Sequence, residues 1–240
     1  MPTLHQWRSF YDTWAQRDPN VASTGEPLPT PEFARLGEVI SGWLQLRGDE
    51  HALDVGCASG TLTSHWAGKT RSAIGVDFSE RLIAVAQQRH GSERLRFQTA
   101  EAAALPFPDH SFDAVSCYNV LLSLPDHEYV ARAIAELQRV ARPGARILLG
   151  SLPDQRRQQP FFELLRSQAP WWRRLGSRIK SWLRPRRPRR TAILWFDIEA
   201  LATRLRNDGW QVEVHDDPPF ANYRYYRQSL VITRPRGSKA

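Results

Sequence analysis

The chain has 240 residues, 41% of them hydrophobic and 24% charged, with a formal net charge of +8. That length suits one domain with decorations and a sizeable core. No apolar run approaches the roughly 18 residues of a membrane span, and residues 1–10 hold no apolar signal core. Cys57 and Cys117 are the two cysteines; inside strand-like runs they read as buried thiols, not a disulfide framework. The expectation is a cytoplasmic protein.

In chain order, residues 4–18 read as a helix, with Leu4, Trp7, Phe10, Tyr11 and Trp14 on one stripe. A Pro-rich linker follows, and Thr30-Pro31-Glu32 opens a helix to about Leu46, with Pro31 at its first position. From His51 strands and helices alternate. The strands are expected at 52–57, 72–78, 95–99, 112–118 and 146–151. Helices are expected at 59–67, after Ser79 to about His90, and after Asp126 through Val140. Arg142-Pro143-Gly144-Ala145 reads as a turn into the fifth strand. Asp197 caps a helix through Arg206, and runs 211–215 and 228–233 close the chain as an antiparallel hairpin. The pattern predicts an α/β fold with a doubly wound, mostly parallel, seven-stranded sheet.

Charge is uneven along this plan. Between Arg156 and Arg190 lie 11 arginines and Lys180 against Glu163 alone, a net +11 that leaves −3 for all other residues. Residues 154–192 form a basic insertion between the fifth strand and the next helix. Trp172, Leu175, Ile179 and Trp182 fall at helical spacing within it. Three roles stay open, in descending order: a lid over the site, peripheral contact of residues 171–190 with an anionic membrane, and a grip on nucleic acid or an acidic carrier.

The chemistry-bearing residues sit at strand ends. Leu53-Asp54-Val55-Gly56-Cys57-Ala58-Ser59-Gly60 runs from strand through a small-residue turn into a helix; Asp77 ends the second strand; Glu101 follows the third. Ligands of open parallel sheets bind outside those carboxyl ends. Asp77 stands 21 residues after Gly56, the spacing of an acid that reaches ribose hydroxyls. A nicotinamide cofactor and S-adenosylmethionine both suit that spacing. The turn separates them: Ala58 stands where a dinucleotide loop has its second glycine, and Asp54 repels pyrophosphate but suits an ammonium group.

Taken together these segments resemble the class I S-adenosylmethionine-dependent methyltransferases of small-molecule type, best over 51–152. The resemblance implies a methyltransferase domain over 51–240, capped by an N-terminal helical lid over 1–50. It implies S-adenosylmethionine as cofactor, with Asp54 at the methionine end and Gly56, Ala58 and Gly60 in the loop beside it. Ile74-Gly75-Val76-Asp77-Phe78-Ser79 resembles the family's second motif, with Asp77 on the ribose and Phe78 against adenine. Glu101 and Ala102 stand where the family contacts the adenine edge, Glu101 replacing the usual Asp. Tyr118 and the lid residue Tyr11 complete the cofactor set. No metal site is expected. On the acceptor side the candidates are Asn119, His127 and Tyr118; Asn119 is the preferred polar group, and His127 fits a surface position in a first helical turn. The expected acceptor is small or lipid-like. The alternatives are an RNA methyltransferase, disfavoured by Cys117-Tyr118-Asn119-Val120 in place of Asn/Asp-Pro-Pro-Tyr, and a binding protein that keeps the fold without turnover.

Overall fold

The computed structural model describes residues 30–167, 193–219 and 224–235. Tyr11, with residues 1–29 of the expected N-terminal lid, and the Trp- and Arg-bearing stretch 171–190 lie outside the described residues, while residues 30–50 of that lid are described. Seven strands form one sheet: β1 His51–Val55, β2 Ser72–Asp77, β3 Leu95–Thr99, β4 Phe112–Tyr118, β5 Ala141–Pro153, β6 Gln211–Asp216 and β7 Arg227–Thr233. Their order is β3-β2-β1-β4-β5-β7-β6. Neighbours from β3 to β5 are parallel, while β7 is antiparallel to both β5 and β6. Strand order reverses between β1 and β4, which makes their carboxyl ends the switch-point crevice of a doubly wound fold.

The helices are α1 Thr30–Leu44, α2 Thr61–Ala67, α3 Glu80–His90, α4 His127–Val140, α5 Gln158–Ser167 and α6 Ile198–Asn207. Their starts follow from side-chain caps. Ser79 Oγ accepts from Leu82 N, Asp126 from Tyr129 N and Asp197 from Ala200 N, each satisfying a backbone donor that the first turn leaves open. In α4 the buried residues Val130, Ala133, Ile134, Leu137 and Val140 form one stripe, so a single face is driven onto the sheet.

The core divides by strand period. Leu53, Val55, Val115, Cys117, Ile147 and Leu149 point to the face covered by α4 and α6. Ala52, Ala114, Tyr118 and Leu148 point to the other, with Phe33, Leu36 and Ile40 of α1 and Trp66 of α2.

The start of the fifth strand differs from the sequence expectation. The fifth strand begins at Ala141, not Arg146. Ala141 pairs with Phe112, and then the register slips so that Ala114 meets Arg146. The expected turn is therefore a bulge inside one strand, with Gly144 at φ 86°. The closing hairpin is antiparallel as expected, but its second strand lies between the first and β5. The insertion opens with described structure: Arg156 Nη1 pairs with Glu199 at 2.7 Å and Arg157 Nη2 with Asp216 at 2.9 Å. Both also approach the buried Asp154. The first two arginines of the basic run thus hold the start of α5 to the domain.

Candidate cofactor and acceptor site

The loop after β1 is fixed by β2. Gly56 and Cys57 N–H groups both donate to Val76 O, at 2.7 and 3.0 Å. Three of its residues have positive φ: Gly56 79°, Ala58 48° and Gly60 74°. At Gly56 only glycine fits, because an added Cβ would lie 2.2 Å from Val120 Cγ2. That contact also places the end of β4 directly against the loop.

Asp54, near the end of β1, reaches toward α2 and is 5% exposed. Thr63 Oγ1 donates to its Oδ2 at 2.5 Å, while the buried Ser116 hydroxyl has no hydrogen-bond partner among the described residues. Burial raises the Asp54 pKa to about 6, although the Thr63 hydrogen bond pulls the other way. Among the described residues no cation pairs with it. A buried carboxylate held by the Thr63 hydroxyl beside a glycine cradle fits the ammonium end of an amino-acid-bearing nucleoside.

Asp77, 6% exposed, ties the loop to α3. Its Oδ2 accepts from Ala58 N at 3.1 Å and its Oδ1 from Ser79 N at 2.9 Å. Phe78 is half-buried beside it. Glu101 and Ala102 are half-buried after β3, and Tyr129 Oη donates to Glu101 Oε2 at 3.3 Å. Burial and the Glu101 charge push the Tyr129 phenol up to about 12, so it stays a donor. Asp77→Ala should leave two buried N–H groups without their carboxylate. The expected result is at least about tenfold weaker S-adenosylhomocysteine binding by calorimetry, with a lowered melting temperature; unchanged affinity would remove Asp77 from the ribose.

On the acceptor side, Tyr118 packs against Gly150, whose Cβ would meet its ring at 2.3 Å, and its hydroxyl donates to the buried Asp217 at 3.4 Å. Burial raises both pKa values, and the Asp217 charge adds to the Tyr118 shift. Asn119, φ 62°, accepts at Oδ1 from Arg227 Nη1 at 2.5 Å. His127 is exposed at the start of α4, edge-on to Phe196 with ring centroids 5.4 Å apart. In the 3-10 turn before β7, Tyr225 is 64% exposed and Tyr226 is buried.

The structure therefore places Asp54, Gly56, Ala58, Gly60, Asp77, Phe78, Glu101 and Ala102 at the carboxyl ends of β1, β2 and β3, with Asn119 directly after β4. It turns Tyr118 toward β5 and leaves His127 on the surface. Sequence reasoning missed Thr63, Tyr129 and Arg227, which hydrogen-bond Asp54, Glu101 and Asn119. Nothing in local pattern marks them, because each partner comes from another element.

Comparison with known proteins identifies the family. A methyltransferase-domain family matches residues 53–149. The demethylmenaquinone methyltransferase of Lactiplantibacillus plantarum is 30% identical over 169 residues, 67% of this chain and 69% of that protein. The chain belongs to the class I S-adenosylmethionine-dependent methyltransferases. S-adenosylmethionine is the cofactor of that family. The chain is also 36% identical over 121 residues to the 27-O-demethylrifamycin SV methyltransferase of Amycolatopsis mediterranei, covering 48% of this chain and 43% of that protein. The chain spans about half the length of several curated relatives it matches. Among solved structures the cyclase SpnF superposes with a TM-score of 0.68 at 19% identity, covering 98% of each chain. That likeness concerns the fold of this methyltransferase alone.

Proposed function

We propose that the chain transfers the methyl group of S-adenosylmethionine to a small or lipid-like acceptor. The observation that carries this is Asp54, a buried carboxylate that accepts from the Thr63 hydroxyl beside the Gly56–Gly60 cradle. Asp54 would take the ammonium group, Asp77 the ribose hydroxyls, Phe78 the adenine face, and Glu101 with Ala102 the adenine edge. Tyr118 and Tyr11 belong to the same proposed set. The cofactor supplies an activated methyl on a sulfonium, so the protein's tasks are alignment and exclusion of water. Asn119 orients the acceptor at the rim. No general base is required unless the acceptor must lose a proton early.

Two relatives are named for methylating demethylmenaquinone and a demethylrifamycin, both small molecules. The test is a screen with methyl-labelled S-adenosylmethionine against quinols, phenols, acyl thioesters and lipids, reading label in the organic phase. Label confined to added RNA would replace this reading with the nucleic-acid one. A fold neighbour named as a cyclase favours keeping the non-methylating alternative in view, because fold does not fix reaction. Cofactor binding with no labelled product from any acceptor would support it. The +11 stretch supports peripheral contact with anionic lipid. Deleting Trp171–Arg190 should end sedimentation with phosphatidylglycerol vesicles, and persistence would place the contact elsewhere.

A further inference from the structure

At the rim of the crevice a polar pair and an aromatic set meet at adjacent residues. Val120 packs over Gly56, so the step from Asn119 to Val120 abuts the cofactor loop. Arg227, the first residue of β7 and 6% exposed, donates from Nη1 to Asn119 Oδ1 and, at 3.0 Å, to Ser151 Oγ. A guanidinium has donors only. The Asn119 carboxamide must therefore turn its oxygen to Arg227 and its Nδ2 group away. Nδ2 has no hydrogen-bond partner among the described residues, and Asn119 is half-buried. The rim thus offers an N–H donor backed by a buried cation.

Tyr226 joins this pair to the aromatic set. Arg227 Nη2 donates to Tyr226 Oη at 3.3 Å, and the guanidinium carbon lies 5.3 Å from the Tyr226 ring centroid. Tyr226 lies 4.0 Å from Phe161 and 5.3 Å from Trp195, centroid to centroid. Phe162 extends the set at 6.0 Å from Trp195 and remains 43% exposed. The rings come from α5, from the segment before α6 and from the 3-10 turn that leads into β7, close to the carboxyl end of β5. The acid of the cluster, Asp217, is engaged by Ser229 Oγ at 2.7 Å and by Tyr118 Oη. Burial favours its neutral form, which weakens it as a counter-charge to Arg227.

We propose that the acceptor is a planar ring bearing an ionisable hydroxyl, a phenol or cyclic enol. It lies on the Phe161–Trp195–Tyr226 set, its oxyanion is held by Asn119 Nδ2 with Arg227 behind, and it is methylated on that oxygen. This rests on the methyl-transfer reading above. The hydroxyl proton leaves to solvent as the ring binds. The carbon–oxygen bond then forms as the methyl carbon–sulfur bond breaks, giving a methyl ether and neutral S-adenosylhomocysteine. Asn119 touches the acceptor; Arg227 is a positioning residue that fixes the carboxamide and supplies charge.

The test uses 4-nitrophenol and 2-hydroxy-1,4-naphthoquinone, whose ionised forms are coloured, with the protein saturated in S-adenosylhomocysteine. 4-Nitroaniline serves as the nitrogen control. The bound hydroxyl should ionise at least about one pH unit below its value in free solution, a roughly tenfold preference for the oxyanion. 4-Nitroaniline should bind roughly tenfold more weakly. Asn119→Gly, which suits the positive φ, should abolish the shift. Asn119→Asp should invert it, and Arg227→Gln should reduce it, each with S-adenosylhomocysteine affinity within about twofold of wild type. Intact S-adenosylhomocysteine binding with no probe bound, an unshifted ionisation, or equal binding of the aniline would overturn the proposal and leave the cofactor reading standing. Loss of S-adenosylhomocysteine binding by the wild-type protein would overturn both.

Discussion

Asp54→Asn is expected to stabilise the ligand-free protein at pH 8 while lowering its affinity for S-adenosylmethionine by at least about thirtyfold. The two effects share one cause. Burial holds the folded carboxyl near pKa 6, against 3.8 for an ordinary one. Between those values the folded state keeps a proton that the unfolded chain has released. Stability therefore falls as pH rises through that window and is level above it. The difference corresponds to at most about 3 kcal/mol at neutral pH, which a neutral isostere would recover. The carboxamide oxygen of the variant can still accept from Thr63, so the fold loses little. The cost of the native carboxylate is offset only when a cation arrives, and the ammonium group of the cofactor is the one proposed. Wild-type cofactor affinity should accordingly decline below about pH 6, as Asp54 takes up its proton, and the variant should lack that decline. Denaturant melts at pH 4, 6 and 8 with parallel calorimetry check both halves. A variant that is less stable and binds normally would show Asp54 to be a structural acid.

Gly56→Ala carries the second large effect. Its Cβ would sit 2.2 Å from Val120 Cγ2 at a φ of 79°. The left-handed conformation alone costs an L-residue about 1–2 kcal/mol, and relief of the clash must move either Val120 or the loop. Moving the loop displaces the N–H groups bonded to Val76 O and the edge on which Asn119 stands. The expected outcome is a loss of about 2–4 kcal/mol in stability and no measurable cofactor binding. Val120→Ala in the same chain removes the γ carbons. It should restore part of the stability and little of the binding, since the strain at φ remains. A double-mutant cycle reads that coupling directly; additive effects would mean that Val120 does not limit the loop.

The strand ends were legible because two independent signals coincide there. β3 and β4 fall at Leu95–Thr99 and Phe112–Tyr118, as alternation and flanking turns predict. Asp77 was legible by spacing and Ser79 by capping chemistry. The start of β5 was not. Arg142-Pro143-Gly144 carries turn residues, and only pairing of Ala141 with Phe112 across a register slip shows that the strand has already begun. The place of β7 between β5 and β6 was also hidden, since an antiparallel pair has the same sequence pattern in either order. The sequence marks the acids at the strand ends but not their hydrogen-bond partners. Thr63 on Asp54, Tyr129 on Glu101 and Arg227 on Asn119 are set by which elements the fold brings together. Asn119 and Arg227 lie 108 residues apart in the chain. Their partnership narrows the carboxamide's meaning, from a group able to donate or accept into one whose amino group alone is left to donate.

The central claim is that Asp54, Asp77 and Glu101 form one site for a sulfur-bearing adenosine nucleoside. Calorimetric titration with S-adenosylmethionine and S-adenosylhomocysteine, with NADH as control, tests it most directly. The account predicts micromolar binding of both sulfur nucleosides and none of NADH. Tight NADH binding, or heat from none of the three with the protein folded, would contradict it.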